Sequence, residues 1–261
     1  MHLSLTGKTA LVCGSTQGIG LATAQELALL GANCILLARN EAALQSAMAS
    51  LDASQGQQHQ YALADFSQPE AVVSAIQPFI SNGLIHILVN NTGGPAAGAI
   101  VDAEATAFEQ AFRQHILVNQ LLTQAVLPGM KQEGFGRIIN IVSTSVKIPL
   151  PNLGVSNTIR AAVAGWAKTM ANELGQFGIT VNNVLPGFTD TARLQSLIAH
   201  TAKMQGRSEA EVRKGMQDSV PAQRFGEASE IAAVAAFLAS PAAAYVNGTS
   251  IPVDGGRTGS I

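Results

Sequence analysis

The sequence predicts an α/β fold: a single doubly wound domain in which a seven-stranded parallel sheet carries helices on both faces. Three observations predict it. Short, continuous apolar runs mark strands buried on both sides, rather than the alternating strands of a half-exposed sheet. Longer segments of helical period separate those runs. The alternation continues along all 261 residues, and no linker or charge block divides them. Strands are expected near residues 8–13, 33–38, 59–63, 85–90, 137–142, 178–184 and 248–253. Helices are expected near 18–30, 40–53, 69–80, 104–131, 155–175 and 228–239. The stretch 189–221 breaks the pattern: it lacks a strand period and carries Arg193, Lys203, Arg207, Arg213 and Lys214. It is expected to be a helical lid over a substrate crevice, the alternative being a solvated surface excursion.

Composition removes several function classes. With 15 basic against 17 acidic side chains, a net charge of -2 and no long run of either sign, there is no electrostatic footprint for nucleic acid or an anionic membrane. The most apolar stretches are short or Ala-rich and interrupted, so no spanning helix is expected. The segment Met1–Lys8 lacks a basic stretch followed by an apolar core, and a cytoplasmic location is expected. Cys13 and Cys34 lie in strand-like runs and read as buried thiols. His2, His59, His86 and His200 share no ligand spacing, so no metal is expected, and there is no Gly-x-Ser-x-Gly elbow for a serine hydrolase.

The first strand runs into Gly14-Ser15-Thr16-Gln17-Gly18-Ile19-Gly20 and then into a helical segment. Glycines at this spacing allow a tight turn, close approach of backbone to a pyrophosphate, and close helix-on-strand packing; N–H groups at the helix start face the anion. The second strand ends in Ala38-Arg39-Asn40, where an adenosine ribose would lie. A carboxylate there would select NAD, whereas Arg39, helped by Ser15, points to the 2′-phosphate of NADP. NAD is the less favoured cofactor.

These features resemble the short-chain dehydrogenase/reductase family, with its Rossmann fold. The resemblance extends through Asp65 after the third strand, Asn90-Asn91-Thr92-Gly93 after the fourth, Pro186-Gly187-Phe188-Thr189-Asp190-Thr191 after the sixth, and Val253-Asp254-Gly255-Gly256 after the last. It covers nearly the whole chain and is nearest to the members similar to 3-oxoacyl-(acyl carrier protein) reductase. The resemblance implies a small-molecule carbonyl or alcohol as substrate, with a 3-oxoacyl thioester as one option. It implies that Asp65 and Phe66 flank the adenine and that Asn91 and Gly93 line the cofactor trough. Thr189 and Thr191 would reach the nicotinamide amide and the phosphates, beside Pro186 and Gly187. Thr92 stands where the family usually has alanine, a change expected to be tolerated. The helix carrying Trp166 and the run Ala161–Gly165 would form a subunit interface in a tetramer or dimer, the alternative for Trp166 being core packing.

The catalytic positions depart from the family. Its serine is present as Ser143, followed by Thr144 and Ser145, but the tyrosine position holds Ser156 and the lysine position Arg160. The asparagine position falls on His115, with Asn119 one turn later. The only tyrosines are Tyr61 and Tyr245, and neither has a lysine four residues on. A serine hydroxyl is far less acidic than a phenol, so Ser156 is a poor proton source. Arg160 keeps a cation that can bind ribose hydroxyls and favour an oxyanion. His115 is expected to carry the proton if its ring faces the crevice, water being the other source; the competing reading is a packed histidine. Three functional readings stand: an NADP-dependent oxidoreductase with a remodelled site, a silent nucleotide-binding sensor or partner subunit, and a reductase of activated alkenes protonated from solvent.

Overall fold

The computed structural model describes residues 1–260. Strands β1 (Thr9–Cys13), β2 (Asn33–Ala38), β3 (Gln60–Leu63), β4 (Ile87–Asn90), β5 (Gly136–Ile141), β6 (Ile179–Pro186) and β7 (Ser250–Val253) form one sheet in the order β3-β2-β1-β4-β5-β6-β7. Every neighbouring pair is parallel. The continuous apolar runs have a direct cause in this sheet. Along β1, Ala10 and Val12 enter one core layer, while Leu11 and Cys13 enter the other. The first layer is closed by α1 (Gly18–Leu29), α2 (Glu41–Ala49) and α9 (Ala228–Ala239), through residues such as Leu27, Leu44 and Ile231. The second is closed by α3 (Pro69–Asn82), α5 (Val118–Glu133) and α6 (Gly154–Leu174), through Ile76, Leu122 and Ala167. Both cysteines are buried and free, and burial pushes each thiol up to about 12.

Strand order reverses between β1 and β4, so the loops after these two strands diverge and leave a crevice at the carboxyl edge of the sheet. Gly14 follows β1 and Asn91 follows β4, which puts both at this crevice. Just below its floor a polar chain crosses the sheet. Asn90 donates to Asn140 at 2.8 Å, Asn140 donates to Asn183 at 2.9 Å, and Asn183 donates to Ser250 at 3.0 Å. These residues are register partners on successive strands, and the asparagines are all buried.

The expected helix near 104–131 is interrupted. It divides into α4 (Ala105–Phe112), a π-helical turn (Arg113–Leu117) and α5. Apolar periodicity over such a length does not register one widened turn, which is why the sequence reads as continuous helix. The stretch 189–221 contains α7 (Ala192–Gln205) and α8 (Glu209–Asp218). Gly206, at φ 63°, closes α7, and a reciprocal pair between Ser208 and Glu211 opens α8. Leu194, Ile198 and Ala202 of α7 pack with Val212 and Phe225 in a small core of their own. No helix among the described residues is long and apolar enough to cross a membrane.

Candidate active site

Two adjoining cavities occupy the crevice, an outer one of about 630 Å³ and an inner one of about 220 Å³. Both are lined by Ile19, Asn91, Thr92, Gly94, Thr191 and Arg193, so they form one continuous cleft.

Gly14, Gly18, Gly93 and Gly94 all stand on the outer wall. Gly14 has φ +58°, and a Cβ there would stand 2.5 Å from the Asn91 carbonyl oxygen. A Cβ on Gly20 would stand 2.2 Å from the carbonyl oxygen of Gly14. The Asn91 amide donates to the Cys13 and Gly14 carbonyls at 3.2 Å, stapling the two diverging loops together. At Gly93, by contrast, a Cβ would meet nothing within 4 Å, and the residue faces the open cleft. Gln17, Gly18 and Ile19 line the cleft beside it, with Asp65 and Phe66 farther along the same wall. Arg39 reaches the far end, its side chain 81% exposed and 3.9 Å from the Asp65 carboxylate. An exposed pair at that distance is worth little, so the guanidinium is available to another anion. The Ser67 backbone N–H, 2.8 Å away, is the main cause that holds the Asp65 carboxyl below the usual range.

Two members of the expected cofactor set have a different task. Ser15 is completely buried, and its hydroxyl oxygen accepts the Leu37 N–H at 3.1 Å. It ties the glycine loop to β2, and it does not help Arg39. Thr16, which the sequence reading left out, lines the cleft instead. Gly20 likewise serves helix-on-strand packing and lines neither cavity.

The inner cavity gathers Ser143, Ser156, Arg160, Pro186, Gly187, Thr189 and Thr191. Ser143 follows β5 in extended conformation and accepts the Ser145 N–H at 3.1 Å. Ser156 and Arg160 are four apart on α6, hence on one face. The Arg160 guanidinium donates to the carbonyls of Ile141, at 3.1 Å, and Thr92, at 3.5 Å. Burial, and secondarily Arg193, pull its pKa down to about 10, which leaves it a cation at neutral pH. Arg193, at the start of α7, donates to the carbonyls of Gly94 and Pro95 at 3.2 and 3.0 Å. Thr189 donates to the Gly187 carbonyl and Thr191 to that of Thr189, each at 3.3 Å. No carboxylate lines this cavity among the described residues.

His115 corrects an expectation. Its ring does not face the cleft: the residue is 2% exposed and lines neither cavity. Nδ1 lies 2.8 Å from the Thr92 hydroxyl, while Nε2 has no hydrogen-bond partner among the described residues. Burial first, then the cations of Arg160 and Arg193, pull its pKa down to about 3. A ring buried outside both cavities is not placed to hand a proton directly to a substrate. The two departures at positions 92 and 115 are therefore partners, since the hydroxyl added at Thr92 is the one the imidazole meets.

The basic residues of 189–221 divide similarly. Arg193 alone among them lines the cleft. Arg213 lies 3.6 Å from the Asp190 carboxylate, Arg207 donates to Gln205 and to the Glu211 carbonyl, and Lys214 pairs with Asp218. A further guanidinium, Arg257, lines the inner cavity and was not singled out by sequence. Trp166 donates to Gln120 at 2.8 Å and packs on the second core layer, which makes core packing its use within the chain.

Comparison with known proteins agrees over the whole length. The family described as Enoyl-(Acyl carrier protein) reductase matches residues 14–258. Gluconate 5-dehydrogenase of Gluconobacter oxydans is 30% identical over 259 residues, covering 99% of this chain and 97% of its own. The 3-oxoacyl-[acyl-carrier-protein] reductase of Pseudomonas aeruginosa is 35% identical over 257 residues, covering 97% and 98%. Among solved structures, L-sorbose reductase from Gluconobacter frateurii, complexed with NADPH and L-sorbose, superposes with a TM-score of 0.91 at 30% identity, each chain covered 100%. With glycine loop, strand order and cleft already pointing the same way, the chain belongs to the short-chain dehydrogenase/reductase family.

Proposed function

We propose that the cleft binds NADP(H) and that the protein is an oxidoreductase acting on the carbonyl or alcohol of a small substrate held in the inner cavity. The observation that carries this reading is the pairing of a glycine cradle with a charged inner end. No Cβ fits at Gly14 or Gly20, Gly93 opens onto the trough, and Ser143, Ser156 and Arg160 converge beyond it. The cradle fits a dinucleotide: Gly14, Thr16, Gln17, Gly18 and Ile19 would hold the pyrophosphate. Asp65 and Phe66 would flank the adenine, and Asn91, Gly93, Thr189 and Thr191 the nicotinamide half. Arg39 would take the 2′-phosphate, which favours NADP over NAD. L-Sorbose reductase and actinorhodin polyketide ketoreductase, each solved with NADPH, support the same choice.

When bound, NADPH supplies the hydride that a carbonyl carbon accepts. The chain's own groups act on the oxygen. Ser143 and Ser156 hydroxyls can donate to it, and the Arg160 cation favours the negative charge developing there. Neither hydroxyl is acidic enough to give up its proton outright, and His115 is buried and neutral. The proton therefore comes from water through the serine hydroxyls. Leu194 and Leu197 of α7 line the inner cavity, and the segment 189–221 acts as the lid over it. The curated relatives are named dehydrogenases and reductases, which weighs against a silent nucleotide binder. Ala161, Ala162 and Gly165 are exposed on α6 and would admit a second copy at close range, giving a dimer or tetramer by sedimentation. NADPH oxidation measured over a panel of ketones tests the proposal. Turnover that Ser143→Ala abolishes is expected, and absence of turnover across the panel overturns it.

A further inference from the structure

The turn after β7 has a definite construction. Asp254 closes it by accepting the N–H groups of Gly256, at 3.0 Å, and Thr258, at 2.7 Å. Gly255 and Gly256 supply φ +65° and +85°, and a Cβ on Gly255 would stand 2.8 Å from Val220. This sharp return lays the Arg257 guanidinium on the Phe188 ring, 4.1 Å from its centroid, at the wall of the inner cavity. Arg160 and Arg193 spend their donors on backbone carbonyls, as described above. Arg257 does not: among the described residues its guanidinium has neither a hydrogen-bond acceptor nor a carboxylate within ion-pair distance, and Asp254 is occupied in the turn. Leu150, Leu153, Leu194 and Leu197 form the apolar wall of the same cavity.

From this geometry we propose that Arg257 is the substrate-anchoring residue, and that the substrate is a carbonyl compound with an apolar body and a carboxylate head. A planar guanidinium fork presents paired donors that match a carboxylate, and the ring beneath fixes its plane. With no acid lining the cavity among the described residues, the fork has no charged partner there until an anion arrives. The leucine wall gives an apolar body a surface to cover. The inference rests on the inner cavity being the substrate end of the cleft proposed above.

Calorimetric titration of the NADPH-saturated protein with hexanoate, methyl hexanoate and hexylphosphonate tests it without requiring turnover. Hexanoate should bind roughly 10- to 100-fold more tightly than its ester, the range for one charged hydrogen-bonded pair. Arg257→Gln should erase that gap and Arg257→Lys should restore part of it, with the Kd for NADPH unchanged in both. In turnover, 3-oxohexanoate should show the same advantage in kcat/KM over its methyl ester. Equal binding of acid and ester by the unaltered protein, or a gap that survives Arg257→Gln, overturns the proposal. A phosphonate bound tenfold more tightly than the carboxylate overturns the choice of head group. Failure of NADPH to bind would instead strike the nucleotide reading, and hexanoate titrated into the protein alone would still report on Arg257.

Discussion

The outer end of the cleft is shaped by a glycine loop, held where no Cβ fits at Gly14 or Gly20; the inner end is shaped by side chains, Ser143, Ser156 and three arginines, on separately anchored elements. The difference teaches what each end can tolerate. A surface made of backbone permits almost no substitution, because any added atom displaces the loop itself. A surface made of side chains can exchange one hydroxyl for another, or one cation for another, without moving the scaffold. That is how a chain can keep its nucleotide cradle and remodel its chemistry.

Gly20→Ala should strike folding and nucleotide binding together, since its Cβ would press on a backbone carbonyl 2.2 Å away. Overpacking of this kind destabilises by about 1–3 kcal/mol. We expect a Tm lowered by several degrees in a thermal melt and a Kd for NADPH raised by an order of magnitude or more in a fluorescence titration. An unaffected Kd would break the contrast between the two ends. Arg160→Met should lower kcat for ketone reduction by about 100-fold, in the range seen when one oxyanion-stabilising group is removed. Arg160→Lys should recover much of that loss, as an inner-end exchange of cations. Arg39→Ala should weaken NADPH by about tenfold and leave NADH unchanged, the mark of a lost 2′-phosphate contact rather than a damaged cradle.

His115 sharpens the comparison through pH. Its folded pKa, about 3, lies below the ordinary 6.5, so the unfolded chain takes up the proton first. Stability should therefore fall as pH drops from about 6.5 towards 3, by up to ~1.4 kcal/mol per pH unit from this residue. Urea unfolding of His115→Gln should lack that share of the acid slope. The profile of kcat/KM for reduction should also stay level between about pH 6 and 8, because no histidine, cysteine or carboxylate lines the inner cavity among the described residues. A bell centred near 7 that His115→Gln removes would restore the imidazole as proton carrier.

The strand–helix alternation made the fold legible in sequence, because a sheet buried on both faces must be written in unbroken apolar runs. The glycine loop was legible for a related reason: only glycine answers a demand on the backbone. Ser15 misled because its chemistry is the same whether it points at a phosphate or at the Leu37 amide, and the choice depends on where β2 lies. His115 misled for a similar reason. The imidazole sits within a π-helical turn, and such a turn leaves no mark in the apolar period. Arg257 escaped notice since its importance lies in what it does not pair with, a property of three-dimensional neighbours alone.

The asparagine chain beneath the cleft has a consequence for folding. If β5 slid by one position against β4, Asn140 would face away from Asn90, and amides would be stranded in a dry interior at about 1–3 kcal/mol for each unmatched group. Hydrophobic contact alone discriminates weakly between such slipped assemblies, since valine, leucine and isoleucine serve nearly interchangeably. The Asn90–Asn140–Asn183–Ser250 line thus works as a vernier, admitting one alignment of four strands and so setting the height at which the catalytic loops emerge.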